Sequence, residues 1–318
     1  MAGQVSCVLA LSFLLAGGRA FAFESKASAA LSHFIVAQVY EALGDPVTAL
    51  QEYRLAARLD RQNTVIRLNL AAGYIKNNDL ASAIEELNLV AALDPGTVEA
   101  HALLALLYSF RNETDKASSE YEIALKNASK LDPKNIEIYK SLGKMYLQQK
   151  RLADAEKVYR LTLELSPGDA ESHFYLGNIY EMTGRDAEME SELRQAIALQ
   201  PEYPEALNYL GYFYVERGKQ LDAAEVMIKK ALELEPENAA YIDSLGWLYF
   251  KQGRLKEAVG ELERAAKLLD DPVILDHLGE AYLRAGDVQK AKASWEKSLE
   301  LNAGQDEIKQ KIERLDTR

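Results

Sequence analysis

Eight tyrosines, Tyr40, Tyr74, Tyr108, Tyr146, Tyr180, Tyr214, Tyr249 and Tyr282, recur at intervals of 34, 34, 38, 34, 34, 35 and 33 residues. So regular a period restricts the chain to a stack of similar units before any local propensity is weighed. Each of the last five tyrosines ends one five-residue motif: LGKMY at 142–146, LGNIY at 176–180, LGYFY at 210–214, LGWLY at 245–249 and LGEAY at 278–282. Looser copies, VAQVY, LAAGY and LALLY, end at Tyr40, Tyr74 and Tyr108.

About nine residues after most of these tyrosines comes an alanine, with a large apolar residue four further on. The pairs are Ala49 and Tyr53, Ala83 and Leu87, Ala117 and Tyr121, Ala155 and Tyr159, Ala224 and Ile228, Ala258 and Leu262, and Ala291 and Trp295. The fifth copy uses Met189 and Leu193, and Pro95, Pro133, Pro167, Pro201 and Pro236 close their units. Apolar residues at i, i+3, i+4 and i+7 predict two helices per unit. Between them fall turn clusters such as Gly44-Asp45-Pro46, Asn77-Asn78-Asp79, Gly184-Arg185-Asp186 and Gly253-Arg254. A glycine in mid-helix costs about 1 kcal/mol, so its return in L-G-x-x-Y implies that two helices approach closely there. Neither helix can bury its apolar face alone, so the units must stack.

This L-G-x-x-Y, A-x-x-x-F, P pattern on a 34-residue period resembles the tetratricopeptide repeat (TPR) family, over about residues 30–305. The resemblance implies an all-α, right-handed superhelical solenoid of eight helix-turn-helix repeats with a C-terminal capping helix. The repeats are expected at 30–63, 64–97, 98–135, 136–169, 170–203, 204–238, 239–271 and 272–305, after a short leader at 23–29, with the cap at 306–318. The third copy is four residues longer between Ala124 and Pro133, about one helical turn, so its second helix should lengthen. The sixth carries one extra residue between Gly218 and Ala224, which a loop absorbs. In the cap, Ile308, Ile312 and Leu315 fall on one helical face.

The first residues differ in kind. Val8 to Ala16 reads VLALSFLLA, followed by Ala20-Phe21-Ala22, which predicts a signal peptide over 1–22 and an exported protein. The only cysteine, Cys7, lies inside that segment, so the mature chain is expected to have no thiol chemistry. No strong membrane span is expected after cleavage. The net charge of −12 and the lack of a basic run argue against nucleic acid as a partner.

Catalytic chemistry finds no support in the residues. No phosphate loop, nucleophile elbow or H-E-x-x-H occurs, which predicts no enzyme, no cofactor and no metal. His33, His101 and His173 occupy the same place in alternate repeats, too far apart to share a metal, and His277 has no ligand-spaced Cys or His partner. They read as packing or surface histidines. Adjacent acids such as Glu85-Glu86 read as a solvated face.

In the TPR family the first helices line a concave groove. That implies a protein- or peptide-binding face made here of Phe174, Asn178 and Glu181; Asn208 and Tyr212; Asp243, Trp247, Phe250 and Lys251; and Asp276 and Arg284. Further towards the N-terminus, Phe110, Lys140 and Lys144 fall on the same face. Aromatic anchors flanked by amides and charges suit a peptide; the alternative is that the aromatics pack between repeats. The stretch from Tyr241 to Trp295 resembles the C-terminal repeats of bacterial envelope TPR proteins. That implies a periplasmic or envelope-associated scaffold or adaptor, in complex assembly or substrate delivery to a protease. A subunit organising polysaccharide export or biosynthesis, or pilus assembly, is the alternative. A homo-oligomer stays open.

Overall fold

The computed structural model describes residues 25–316, so the signal-peptide expectation and Cys7 lie outside the described residues. The described chain contains seventeen helices and no strand. It divides into two compact units, one ending at Pro133 and one beginning at Lys134. The first contains three helical hairpins: α1 (Lys26–Ala42) with α2 (Pro46–Leu59), α3 (Thr64–Lys76) with α4 (Leu80–Leu93), and α5 (Val98–Phe110) with α6 (Thr114–Leu131). The second contains five: α7 (Ile136–Gln148) with α8 (Leu152–Leu165), α9 (Ala170–Met182) with α10 (Asp186–Leu199), α11 (Pro204–Arg217) with α12 (Leu221–Leu234), α13 (Ala239–Lys251) with α14 (Leu255–Leu268), and α15 (Pro272–Ala285) with α16 (Val288–Leu301). A last helix, α17 (Asp306–Asp316), packs on α16 and buries Ile308. Among the described residues no helix is long and apolar enough to cross a membrane.

One turn geometry makes all eight hairpins. Four residues past each motif tyrosine stands a residue with positive φ: Gly44, Asn78, Asn112, Lys150, Gly184, Gly218, Gly253 or Gly286. The next N–H then donates back to the tyrosine carbonyl, as in Asp45 to Tyr40 at 2.9 Å and Arg185 to Tyr180 at 2.7 Å. This is a Schellman-type stop, which satisfies an orphan carbonyl and reverses the chain. Side-chain caps then start the next helix: Asp45, Asp79 and Asp287 accept from the backbone N–H three residues on. The extra residue of the sixth copy is taken up in this turn, where Gln220 also has positive φ.

The repeated glycine has a packing cause. A β-carbon built on Gly143, Gly177, Gly211 or Gly246 would lie 2.6, 2.9, 2.8 or 2.7 Å from Tyr159, Leu193, Ile228 or Leu262 respectively. These are the large residues of the alanine-plus-four pairs, so the glycine of one helix receives the bulk of the other. Gly279 faces Trp295 in the same way. The third copy departs from this rule: Tyr121 stays 42% exposed, and α6 instead buries Ala124 and Asn127. That helix runs 18 residues where α2, α4 and α8 run 14, one turn longer as the insertion requires.

Polar ties repeat at fixed offsets too. Within a hairpin, His33 meets Glu52 (2.6 Å), Arg67 meets Glu86 (2.5 Å), His101 meets Glu120 (2.6 Å) and His173 meets Glu192 (2.5 Å), each pair 19 residues apart. Three histidines therefore clamp first helix to second. Glu86 is half-buried in such a clamp, and only Glu85 of that pair lies on a solvated face. Between hairpins the motif hydroxyl reaches back 20 residues to the preceding second helix: Arg54 donates to Tyr74 (3.0 Å), Arg160 to Tyr180 (2.9 Å) and Arg194 to Tyr214 (2.6 Å). Tyr282 instead donates to Glu263.

Candidate functional site

The first helices α9, α11, α13 and α15 share one face of the C-terminal unit, and α13 also touches both α11 and α15 directly. Side chains three or four apart on each helix point to that face. Between them opens a cleft of about 650 Å³. Its walls are Glu181 of α9; Asn208, Tyr209, Tyr212, Phe213, Glu216 and Arg217 of α11; Asp243 and Ser244 of α13; and Val273 of α15.

Of the residues expected on the groove, Asn208, Tyr212 and Asp243 meet in this cleft, with Glu181. Trp247 and Phe250 stand beside it in a packed stack. The Trp247 ring lies parallel to Phe250 (4.5 Å, 5°) and to His277 of the next repeat (4.1 Å, 12°), and is only 9% exposed; Phe250 is 8% exposed. Lys251 rides over Trp247 at 4.7 Å and Arg284 over Phe250 at 5.2 Å, so both cations edge the stack. His277 Nδ1 lies 3.0 Å from both carboxylate oxygens of Asp243, which join α13 to α15. Phe174 does not line the cleft but packs with Tyr175 and Tyr203 and edge-on against the cleft residue Tyr209. Asn178, one turn along α9, has a buried amide oxygen with no hydrogen-bond partner, as does Asn208.

The remaining groove candidates lie elsewhere. Lys140 is buried among Glu137, Asp169 and Glu171, and Lys144 pairs with Glu171 (2.7 Å). Asp276 takes Trp295 Nε1 (2.8 Å) and Lys311 (2.6 Å), linking the last hairpin to α17. Phe110 is 70% exposed on α5 of the other unit.

Electrostatics mark the cleft as acceptor-rich. Tyr212 is deprotonated less readily than a free phenol, first because it is buried and then because Glu216, Asp243 and Glu181 surround it. Burial does the same to Tyr209, whose hydroxyl donates to Glu181. Trp247 Nε1 donates to Glu216 at 2.5 Å. Tyr209, Phe213 and Glu216 were not singled out from the sequence. Glu216 follows Tyr212 by four residues and Tyr209 precedes it by three, a spacing that places all three on one helical side.

Eight helical hairpins in two units, with a cleft lined by first helices of the C-terminal unit, define a helical-repeat scaffold. Tetratricopeptide repeat patterns match residues 41–107, 102–170 and 214–271, and 170–203 and 274–305. The chain belongs to the tetratricopeptide repeat family. It is 38% identical over 89 residues to a TPR repeat-containing protein of Pseudomonas aeruginosa, a stretch covering 28% of this chain and 15% of that one. To the type IV pilus assembly protein PilF of the same organism it is 29% identical over 99 residues, 31% of this chain and 36% of that one. The matches thus span about a seventh and about a third of these relatives' own lengths. A crystal structure of a TPR protein from Parabacteroides merdae superposes with a TM-score of 0.57 at 18% identity, covering 80% of this chain and 99% of that one, a likeness of fold.

Proposed function

We propose that this protein is a non-catalytic scaffold that holds an extended segment of a partner protein in the cleft between α9, α11, α13 and α15. The observation that carries this reading is the cleft itself. Half-buried Tyr209 and Tyr212 stand beside Asn208, whose amide oxygen is left without a partner. Aromatic faces supply contact area at low entropic cost. The packed Trp247 and Phe250 act here as a wall that fixes Glu216 and Asp243, with Tyr212 as the accessible anchor.

The setting we propose is a bacterial envelope, with the chain exported. Of the assemblies the family resemblance opens, a pilus or similar envelope complex is the one that a relative's name supports, through the similarity to PilF.

The test uses the full chain as bait in envelope extract beside a Tyr212→Ala, Asn208→Ala double variant, with bound proteins identified by mass spectrometry. Neither substitution touches a glycine seam, and Tyr212 reaches another hairpin only through its ring contact with His277 at 6.5 Å, so circular dichroism should match the wild type. Loss of a specific partner from the folded variant is expected. Equal capture by both would move the site away from this cleft.

A further inference from the structure

The carboxylates of the C-terminal unit fall into two groups. Four at the seams are neutralised by cations, while Glu263 takes the hydroxyl of Tyr282. Glu156 takes Arg160 and Arg185, Glu190 takes Arg194, Glu225 takes Lys229 and Arg254, and Glu171 takes Lys140 and Lys144. Glu181 and Glu216, in the cleft, are not neutralised. Glu181 receives the hydroxyl of Tyr209 and Glu216 receives the indole N–H of Trp247. Both donors are neutral, so they orient the carboxylates and leave the charge in place. Asp243, the third, is buried against the imidazole of His277.

Among the described residues Arg217 is the only Lys or Arg on the cleft wall, and it is committed elsewhere. Its guanidinium pairs with Asp186 at 2.6 Å and lies over Phe213 at 5.4 Å. The cleft therefore offers the carboxylates of Glu181 and Glu216 and the faces of tyrosines, Asp243 being engaged by His277. Arginine and lysine side chains are donors without acceptors, and their cations are attracted to aromatic faces. The same chain uses this pairing at its own seams, where Arg185 and Arg254 lie 4.1 and 3.9 Å from the ring centres of Tyr180 and Tyr249.

We infer that the cleft recognises a basic side chain, an arginine or lysine of the bound segment, seated between Glu181 and Glu216 against Tyr212. This rests on the proposal above that the cleft binds a peptide, and adds the chemistry of what it selects. An acidic or purely apolar segment would meet an uncompensated acidic wall, which disfavours it by like-charge repulsion and desolvation.

The test is selection of a random dodecapeptide library displayed on phage against the full chain, followed by fluorescence anisotropy with synthetic copies of the enriched peptides. Peptides sharing one Arg or Lys are expected. Replacing that residue by Gln, or using the Glu181→Gln, Glu216→Gln double variant, should weaken binding about tenfold or more. Glutamine keeps an acceptor for Tyr209 and Trp247, so the wall should survive, as unchanged Trp247 fluorescence would show. Raising NaCl from about 50 mM to about 500 mM should weaken the wild-type complex more than the double variant's. Enriched peptides with no shared basic residue, yet lost on Tyr212→Ala, would overturn the basic-residue inference and leave peptide binding standing. Enriched peptides indifferent to Tyr212→Ala and to the double variant, or no enrichment at all, would overturn both.

Discussion

The glycine seam can be tested with one substitution made at two places in the same hairpin. Gly246 lies in α13 and Gly260 in α14, and both are helical. Changing either to alanine gains about 1 kcal/mol of helix propensity, so that term cancels when the variants are compared. Their surroundings differ. A β-carbon on Gly260 meets nothing within 4 Å, whereas one on Gly246 would sit 2.7 Å from Leu262 Cγ, 3.0 Å from Cδ2 and 3.2 Å from the Leu262 backbone nitrogen. The leucine side chain can rotate, but the backbone nitrogen moves only if α14 moves. Overpacking of this kind costs about 1–3 kcal/mol. Gly260→Ala should therefore stabilise by about 1 kcal/mol, and Gly246→Ala should fall below it by about 1–3 kcal/mol. In a unit of this size each kcal/mol shifts the midpoint by about 2–4 °C. The assay is thermal and urea unfolding followed by tryptophan fluorescence, because the protein's two tryptophans, Trp247 and Trp295, both report on the C-terminal unit. Equal stabilisation by the two alanines would refute close approach as the reason for the glycine.

Lys150 is a long side chain forced into the left-handed turn position four residues past a motif tyrosine (φ 57°), so Lys150→Gly should raise stability by about 1 kcal/mol in urea unfolding. The His173 imidazolium is favoured by its hydrogen bond to Glu192, which raises its pKa above the ordinary histidine value. The folded state then holds the proton more tightly than the unfolded one. The clamp's contribution is full below about pH 6.5 and is lost as pH rises through the raised folded value. His173→Gln should flatten that fall in a series of unfolding curves from about pH 6 to 8. Tyr214→Phe removes a hydroxyl bonded to Arg194 (2.6 Å) and Glu190 (2.7 Å) and should cost about 1 kcal/mol in the same assay.

The stacked hairpins were legible because one period carries several independent marks: the tyrosine, the seam glycine, the alanine-plus-four pair and the turn. Gly246 opposite Leu262 could be anticipated as a close approach, since only a packing reason justifies a mid-helix glycine. Lys150 could not be recognised as a left-handed turn residue from its own chemistry; its place four residues after Tyr146 is the only sign. In the candidate site, Asn208 and Tyr212, four apart on α11, were legible as one helical face. The stacking of Trp247 was not, because its exposure depends on His277, a residue 30 positions away whose ring angle no pattern encodes. For the same reason the histidine clamps were invisible singly. Their meaning lies in the Glu 19 residues on, across a turn whose geometry sets which side chains meet.

The motif tyrosine has a consequence for how such a chain can change over generations. Its hydroxyl accepts from Arg160 or Arg194 and donates to Glu263, so the same group satisfies a base at one seam and an acid at another. A phenol is thus a socket indifferent to the sign of its neighbour. Recombination that duplicates or removes a whole repeat joins a new second helix to an old first one, and the hydroxyl still finds a partner. Arrays of this kind can lengthen or shorten in single genetic steps without stranding a polar group at the junction.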